Sequence, residues 1–211
     1  MSGSAQHTTR MASLMGRLRR EMNGDVVERM ERAGVKGVLN YGVSIPTIRQ
    51  IAREEGIDHP FARFLYRQQV RELRMAAIHL TDPEALTSEE LEEWIEPSLP
   101  TRELYDELAF RLLNRLSEPL LEELCRRWLM DECVDHNYLV LMTLARVSGP
   151  LSERVKALLL SRLATLPDEP SLRAALLALF SMRYGELSLQ ELPSTSLGAA
   201  VGRELSELFG L

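Results

Sequence analysis

The sequence predicts an all-α fold, an α-solenoid of antiparallel helical hairpins. Two observations predict it: apolar residues recur with helical period along the chain, and cap-forming side chains followed closely by proline recur at regular intervals. Patterns of strand-like alternation are hard to find. These helix-start signals divide the chain into about ten short helices. The helices would pair in hairpins of roughly 30 to 45 residues, and the hairpins would stack.

The first predicted helix shows the period most clearly. Its apolar residues follow one another at spacings of three and four, and the stripe is predicted to continue toward Met30. The stripe contains Met11, Leu14, Met15, Leu18 and Met22.

Helix starts are predicted where a side-chain oxygen can cap the first free amides and proline, which needs no hydrogen-bond acceptor, follows. A capping box from Thr87 to Glu90 predicts another start. The other start signals are Ser44 before Pro46, Asp82 before Pro83, Ser98 before Pro100, Ser117 before Pro119, Ser148 before Pro150 and Asp168 before Pro170.

Length and composition predict one folded domain. The chain has 211 residues and is 45% hydrophobic, enough to bury a sizeable core. We expect a single helical-repeat domain over residues 1–211, with residues 1–8 as a flexible tail. No apolar run approaches the roughly 20 residues that span a bilayer, and no secretory signal precedes the first helix. The sequence therefore predicts a cytoplasmic protein without membrane contact.

Charge and cysteine content do not determine which kind of molecule the protein binds. The net charge of -6 opposes wholesale nucleic-acid binding, although arginine, the dominant basic residue, can pair with phosphate or carboxylate. Cys125 and Cys133 form no CxxC pair, so we expect two reduced, mostly buried thiols. The acidic and histidine residues from Asp131 to His136 lack a recognised ligand spacing. We predict neither a metal nor a cofactor.

Common catalytic motifs are missing from the sequence. It contains no P-loop, G-x-S-x-G or H-E-x-x-H motif. His79 lies in a strongly apolar helix, where a hydrogen-bonded interface histidine is the expected role.

Three segments carry a family resemblance. YGVSIPTIRQIARE (Tyr41 to Glu54), RELRMAAIHL (Arg71 to Leu80) and EEWIEPSLPTRELYDELAF (residues 92–110) together resemble the AlkD-like DNA alkylation repair family. The resemblance extends from about Asn40 to about Tyr184. It implies HEAT-like helical repeats and, in active members, cleavage of the N-glycosidic bond of a cationic alkylated base in DNA held on the concave face.

The resemblance also implies where reactive groups would lie. The family's tryptophan–tryptophan–aspartate run falls on Leu104, Tyr105 and Asp106, and its catalytic aspartate position falls on Ala109. No arginine occurs from Asp131 to Ala145, where the family would supply one; Tyr138 or Leu141 takes its place. The sequence therefore predicts lost or weak glycosylase chemistry.

Asp106 itself has two interpretations. On the predicted helix, Leu104, Tyr105, Leu108 and Ala109 form an apolar stripe, with Glu107 on the opposite side. Asp106 falls at the edge of this stripe, four residues after Arg102, so an ordinary surface ion pair is the first interpretation. In the second interpretation, Asp106 with Tyr105 is a substitute catalytic pair.

Three functions follow from these observations. The first is DNA binding through backbone phosphates, with Arg49, Arg53, Arg71, Arg74 and Tyr138 as candidate contacts. An equal alternative is that these arginines form salt bridges with nearby glutamates, namely Glu54, Glu55 and Glu72. The second is a scaffold that binds a protein partner on its concave face. The third is an active glycosylase with a rearranged site at Asp106.

Overall fold

Helices account for nearly all regular structure in the protein. The computed structural model describes residues 2–32, 39–95 and 101–210, and within these ranges it contains twelve α-helices and no β-strand beyond isolated bridges. The prediction of an all-α fold is confirmed. The helices are α1 (Ser2–Arg20), α2 (Gly24–Arg32), α3 (Ile45–Glu55), α4 (His59–Tyr66), α5 (Arg71–Leu80), α6 (Ser88–Ile95), α7 (Arg102–Arg111), α8 (Glu118–Leu124), α9 (Val134–Leu144), α10 (Glu153–Leu163), α11 (Pro170–Met182) and α12 (Ser196–Phe209).

The predicted first helix differs from the structure at both ends. α1 already begins at Ser2, within the segment predicted to be a flexible tail, and it ends at Arg20. The stripe predicted to run on toward Met30 is broken, because the backbone amide of Asn23 donates to Tyr41 O at 2.9 Å and turns the chain into α2. Met22 is consequently exposed.

Two predicted helix starts illustrate how local side chains set the helix bounds. Ser44 caps α3, accepting a bond from the Thr47 amide. Thr87 and Glu90 form the predicted box at α6, with Thr87 Oγ1 and the Glu90 carboxylate each accepting from the other residue's amide. The predicted start at Ser98 lies outside the described residues.

The helices group into two compact units by their contacts, where the sequence predicted one domain. The first unit comprises residues 1–86 and 96–107, with α1 to α5 and the beginning of α7. Its core includes Leu14 of α1, Ile48 of α3 and Phe61 of α4, all inaccessible to solvent. α5 lies against both α3 and α4 and buries nearly its whole circumference, so it is the central helix of this unit.

The second unit comprises residues 87–95 and 108–211. α9 is its central helix, buried against α11 and against a π-helical turn that continues α8 over Cys125–Leu129. The side-chain amide of buried Asn137 donates to Leu129 O at 3.0 Å. Arg162 donates to the same carbonyl at 3.0 Å and to Asp131 O at 2.8 Å. Side chains therefore satisfy the carbonyls that the π-helical turn leaves without helical partners.

The thiols and the acidic segment of this unit were only partly foreseen. Cys125 is buried, and burial raises the pKa of its thiol to about 12. Cys133 is exposed, so the prediction of mostly buried thiols is wrong for this residue. His136 Nδ1 lies 2.6 Å from Asp131 Oδ2, which gives this acid an ordinary partner. No group of three metal-ligating side chains is brought together in the described part of the chain.

No helix in the described ranges has the length and apolar character needed to cross a bilayer.

Candidate functional site

The loop between α2 and α3 is the most tightly organised irregular segment of the first unit. Tyr41 and Val43 donate their backbone amides to one oxygen of Glu72, Oε1, at 3.1 and 3.3 Å. Glu72 is fully buried and belongs to α5. A buried carboxylate thus replaces water as the acceptor for this loop, which fixes the loop against the central helix.

Arg71 donates to the same carboxylate oxygen of Glu72. Its guanidinium donates to Glu72 Oε1 and to Val43 O, both at 2.9 Å. It also forms a two-pronged pair with Glu103 of α7, at 2.7 and 2.5 Å. With only 5% of its surface exposed, Arg71 joins the loop, α5 and α7 in one charge-assisted network.

Gly42 allows the loop to approach α2. Its φ is +70°, a left-handed conformation that favours glycine, and a Cβ at this position would lie 2.2 Å from Asn23 O. The glycine of the segment YGVSIPTIRQIARE is therefore required by both conformation and space.

A pocket of about 710 Å³ opens between this loop and α7. It is within the size range of small-ligand sites. Its wall combines apolar side chains such as Val26 and Met30 with charged ones, Glu21, Arg102 and Asp106 among them. Among the described residues of the lining, the three acids Glu21, Glu103 and Asp106 outnumber the two bases Arg71 and Arg102, which gives this part of the wall a negative balance.

The positions assigned by the family resemblance divide between this pocket and the core. Asp106 is half-buried and lines the pocket. Tyr105 and Leu104 are 3% exposed, and Ala109, which the resemblance matches to the family's catalytic aspartate, is fully buried. The structure therefore brings Asp106 alone of these residues to the pocket lining, and its catalytic role stays a prediction.

Glu107 is the residue that sequence reasoning misplaced. The helical stripe put it on the polar side of α7, but its side chain is only 2% exposed. It pairs with both guanidinium prongs of Arg49, at 2.8 and 2.6 Å, and its Oε1 lies 2.7 Å from His79 Nε2. The prediction failed because the partners come from α3 and α5, far away in sequence.

The electrostatics of Glu107 follow from these contacts. Burial by itself raises the pKa of this carboxyl, but His79 and Arg49 outweigh burial and lower the pKa to about 2 from an ordinary 4.5. Glu107 is therefore ionised at neutral pH, and His79 contacts it from α5.

The candidate DNA contacts have unequal exposure. Arg53 is exposed, and Arg49 is partly exposed while paired with Glu107. Arg74 is 4% exposed and donates to Gln68 O at 2.8 Å. Tyr138, in the second unit, is 3% exposed. These placements give Arg49, Arg71 and Arg74 structural partners, and their role toward DNA stays a prediction.

The predicted salt bridges to nearby glutamates are partly observed. Glu72 is the partner of Arg71, as the sequence suggested. Glu54 and Glu55 instead pair with Arg17 of α1. Neither the contact of Glu72 with the loop nor that of Arg71 with Glu103 had a local sequence signal, although both residues lie in the segment RELRMAAIHL that carries the family resemblance.

Comparison with solved structures supports the fold. A solved structure described as "A new family of proteins related to the HEAT-like repeat DNA glycosylases with affinity for branched DNA structures" superimposes with a TM-score of 0.70, covering 93% of this chain and 94% of that one. The two sequences are 14% identical, so the match shows a common fold, and the predicted HEAT-like solenoid class is confirmed. No curated protein sequence matches significantly.

The sequence itself carries the family assignment. The profile of the family described as "DNA alkylation repair enzyme" matches residues 14–134, a stretch that contains the loop, α5 and α7 described above. This stretch is more than half of the 211 residues. The chain therefore belongs to the DNA alkylation repair enzyme family.

Proposed function

We propose that this chain is a DNA-binding member of its family with little or no base-release activity. The observation that carries the proposal is the state of α7. Its network with the loop and α5 is intact, whereas Ala109, to which the family resemblance assigns the catalytic aspartate position, offers only a buried methyl group. A methyl group in the core can neither stabilise a developing cation nor activate water.

DNA binding is supported by the family and by the fold. The solved protein that shares the fold is described as having affinity for branched DNA structures. In this chain, Arg19 of α1, Arg53 of α3 and the pocket-lining Arg102 have exposed side chains, which suits contacts with phosphate. Arg49, Arg71 and Arg74 serve the fold first, so we expect only a few phosphate contacts.

Direct titration tests the proposal. Purified protein is titrated with plain duplex, alkylated duplex and a three-way junction at 50 and 200 mM salt, and free base is assayed in the same tubes. For two to three phosphate contacts, affinity should fall roughly tenfold to fiftyfold over this range. No free base is expected.

Other outcomes contradict the proposal in different ways. A flat response to salt, or no binding to any DNA, would reject DNA binding and leave the protein-binding scaffold. Release of free base from the alkylated duplex would show that chemistry is retained.

A second candidate function, base release through Asp106, is favoured by the pocket lining. Asp106 is a half-buried carboxylate in a pocket with a negative balance, which suits a cationic base. If free base appears, Asp106→Asn should lower its rate by about a hundredfold or more. Asp25→Asn, which changes an exposed acid of α2, is the matched control. An unchanged rate in the Asp106 variant would exclude it as the reacting group.

A further inference from the structure

We propose that Arg19 and Tyr41 form a stacking platform for an unpaired nucleobase of DNA at the edge of the pocket. The inference rests on the proposed DNA binding and names the feature of the DNA that would be recognised. Unpaired bases expose their flat faces at branch points and in single strands, and they stack on aromatic rings and on guanidinium planes.

The backbone of Tyr41 is held on both sides. Its amide donates to buried Glu72 at 3.1 Å, and its carbonyl accepts from the Asn23 amide at 2.9 Å. The following residue, Gly42, has the close approach to Asn23 already described. The ring is therefore presented from a loop that is fixed before any ligand binds, so little conformational entropy is lost on binding.

Arg19 holds the ring from the end of α1. Its Nε and Nη2 donate to the Tyr41 hydroxyl at 3.2 and 2.8 Å, and its guanidinium carbon lies 5.2 Å from the ring centroid. Arg19 is exposed and Tyr41 is partly exposed. A cation and an aromatic ring that are already together at the surface provide a flat stacking partner and a positive charge for the adjoining phosphate.

Close sequence neighbours of both platform residues line the pocket. Gly42 and Val43, directly after Tyr41, line the pocket, and so do Glu21 and Asn23, directly after α1. A base stacked on the platform would thus lie at the pocket edge. The exposed basic residue Arg102 contributes to the same lining.

The experiment compares three DNAs of the same sequence context: a fully paired duplex, a duplex with one unpaired base, and a three-way junction with unpaired bases at the branch point. The unpaired base is 2-aminopurine, whose fluorescence falls when it stacks. Wild-type protein should quench it. Tyr41→Leu should abolish quenching and weaken binding to the two DNAs with unpaired bases by about tenfold or more, with less than about a twofold change for the paired duplex.

Further variants separate stacking from folding. Tyr41→Trp should keep the selectivity, because it keeps an aromatic face, and Arg19→Leu should reduce it. Tyr184→Leu, which removes an aromatic residue of the second unit that is 54% exposed, is the matched control and should bind as wild type. If Tyr41→Leu does not fold, loss of selectivity in Arg19→Leu and its retention in Tyr41→Trp decide the question.

The inference and the proposed function fail differently. Equal weakening for all three DNAs, or wild-type selectivity in Tyr41→Leu, would overturn the platform while DNA binding stands. Absence of binding by wild-type protein would overturn both.

Discussion

Glu107→Ala is expected to lower the free energy of unfolding by about 4 kcal/mol, because removing one partner of a buried ion pair leaves the other charge poorly compensated. The carboxylate is 2% exposed and holds Arg49 through two bonds while contacting His79. Its loss would remove the contacts of α7 with Arg49 of α3 and His79 of α5, leaving the Arg71–Glu103 pair to connect α7 with α5. Urea denaturation followed by circular dichroism measures the change.

The control for this prediction is Glu28→Ala. Glu28 forms an exposed pair with Arg32 one helical turn away, so its loss should cost less than about 1 kcal/mol. The double variant Arg49→Met with Glu107→Leu should lose less stability than Glu107→Ala, since it removes both charges together. Equal losses for Glu28→Ala and Glu107→Ala would contradict this role of the buried carboxylate.

The stabilisation by Glu107 should also depend on pH. Because its pKa is lowered from 4.5 to about 2 in the folded protein, the stabilisation is complete above pH 4.5 and is lost as pH falls toward 2. The stability difference between wild type and Glu107→Gln should therefore shrink across this window. A difference that stays constant from pH 6 to pH 2 would show that the carboxylate is not held in its ionised form.

Gly42→Ala is expected to lower the free energy of unfolding by about 3 kcal/mol, through two additive causes. A left-handed conformation costs a non-glycine residue roughly 1–2 kcal/mol. The new methyl group would also collide with the backbone of Asn23, its Cβ falling 2.2 Å from the carbonyl oxygen. Relief of that collision would displace the loop that carries Tyr41, so selectivity for unpaired bases should fall as well.

Gly210→Ala separates the two causes. Gly210, which follows α12, has nearly the same φ, +69°, and lies in the left-handed region, but a Cβ there would meet nothing within 4 Å. Its substitution should therefore carry only the conformational cost, about 1–2 kcal/mol, in the same denaturation assay. Equal effects at the two glycines would mean that the close approach of Gly42 to Asn23 does not constrain the loop.

The difference between local and long-range signals explains what the sequence could predict. The caps at Ser44 and Thr87 were predictable because both partners of each bond lie within four residues. The burial of Glu107 was not, since Arg49 is 58 residues away and helical periodicity describes only one helix at a time. The pocket position of Asp106 agrees with its predicted place at the stripe edge, but the residues facing it come from other helices.

The buried arginines affect how fast the protein is expected to associate with DNA. Lys36 and Lys156 are the only lysines among 25 basic residues, and several arginines serve the interior by donating to backbone carbonyls: Arg71 to Val43, Arg74 to Gln68 and Arg183 to Leu144. Because these side chains are buried, their charges contribute little to the positive potential at the surface, and the net charge of the protein is -6. Long-range attraction should therefore contribute little to the association rate. We expect association near the unsteered range of roughly 10⁵ to 10⁶ M⁻¹s⁻¹, so that discrimination among DNAs arises in how long each complex lasts.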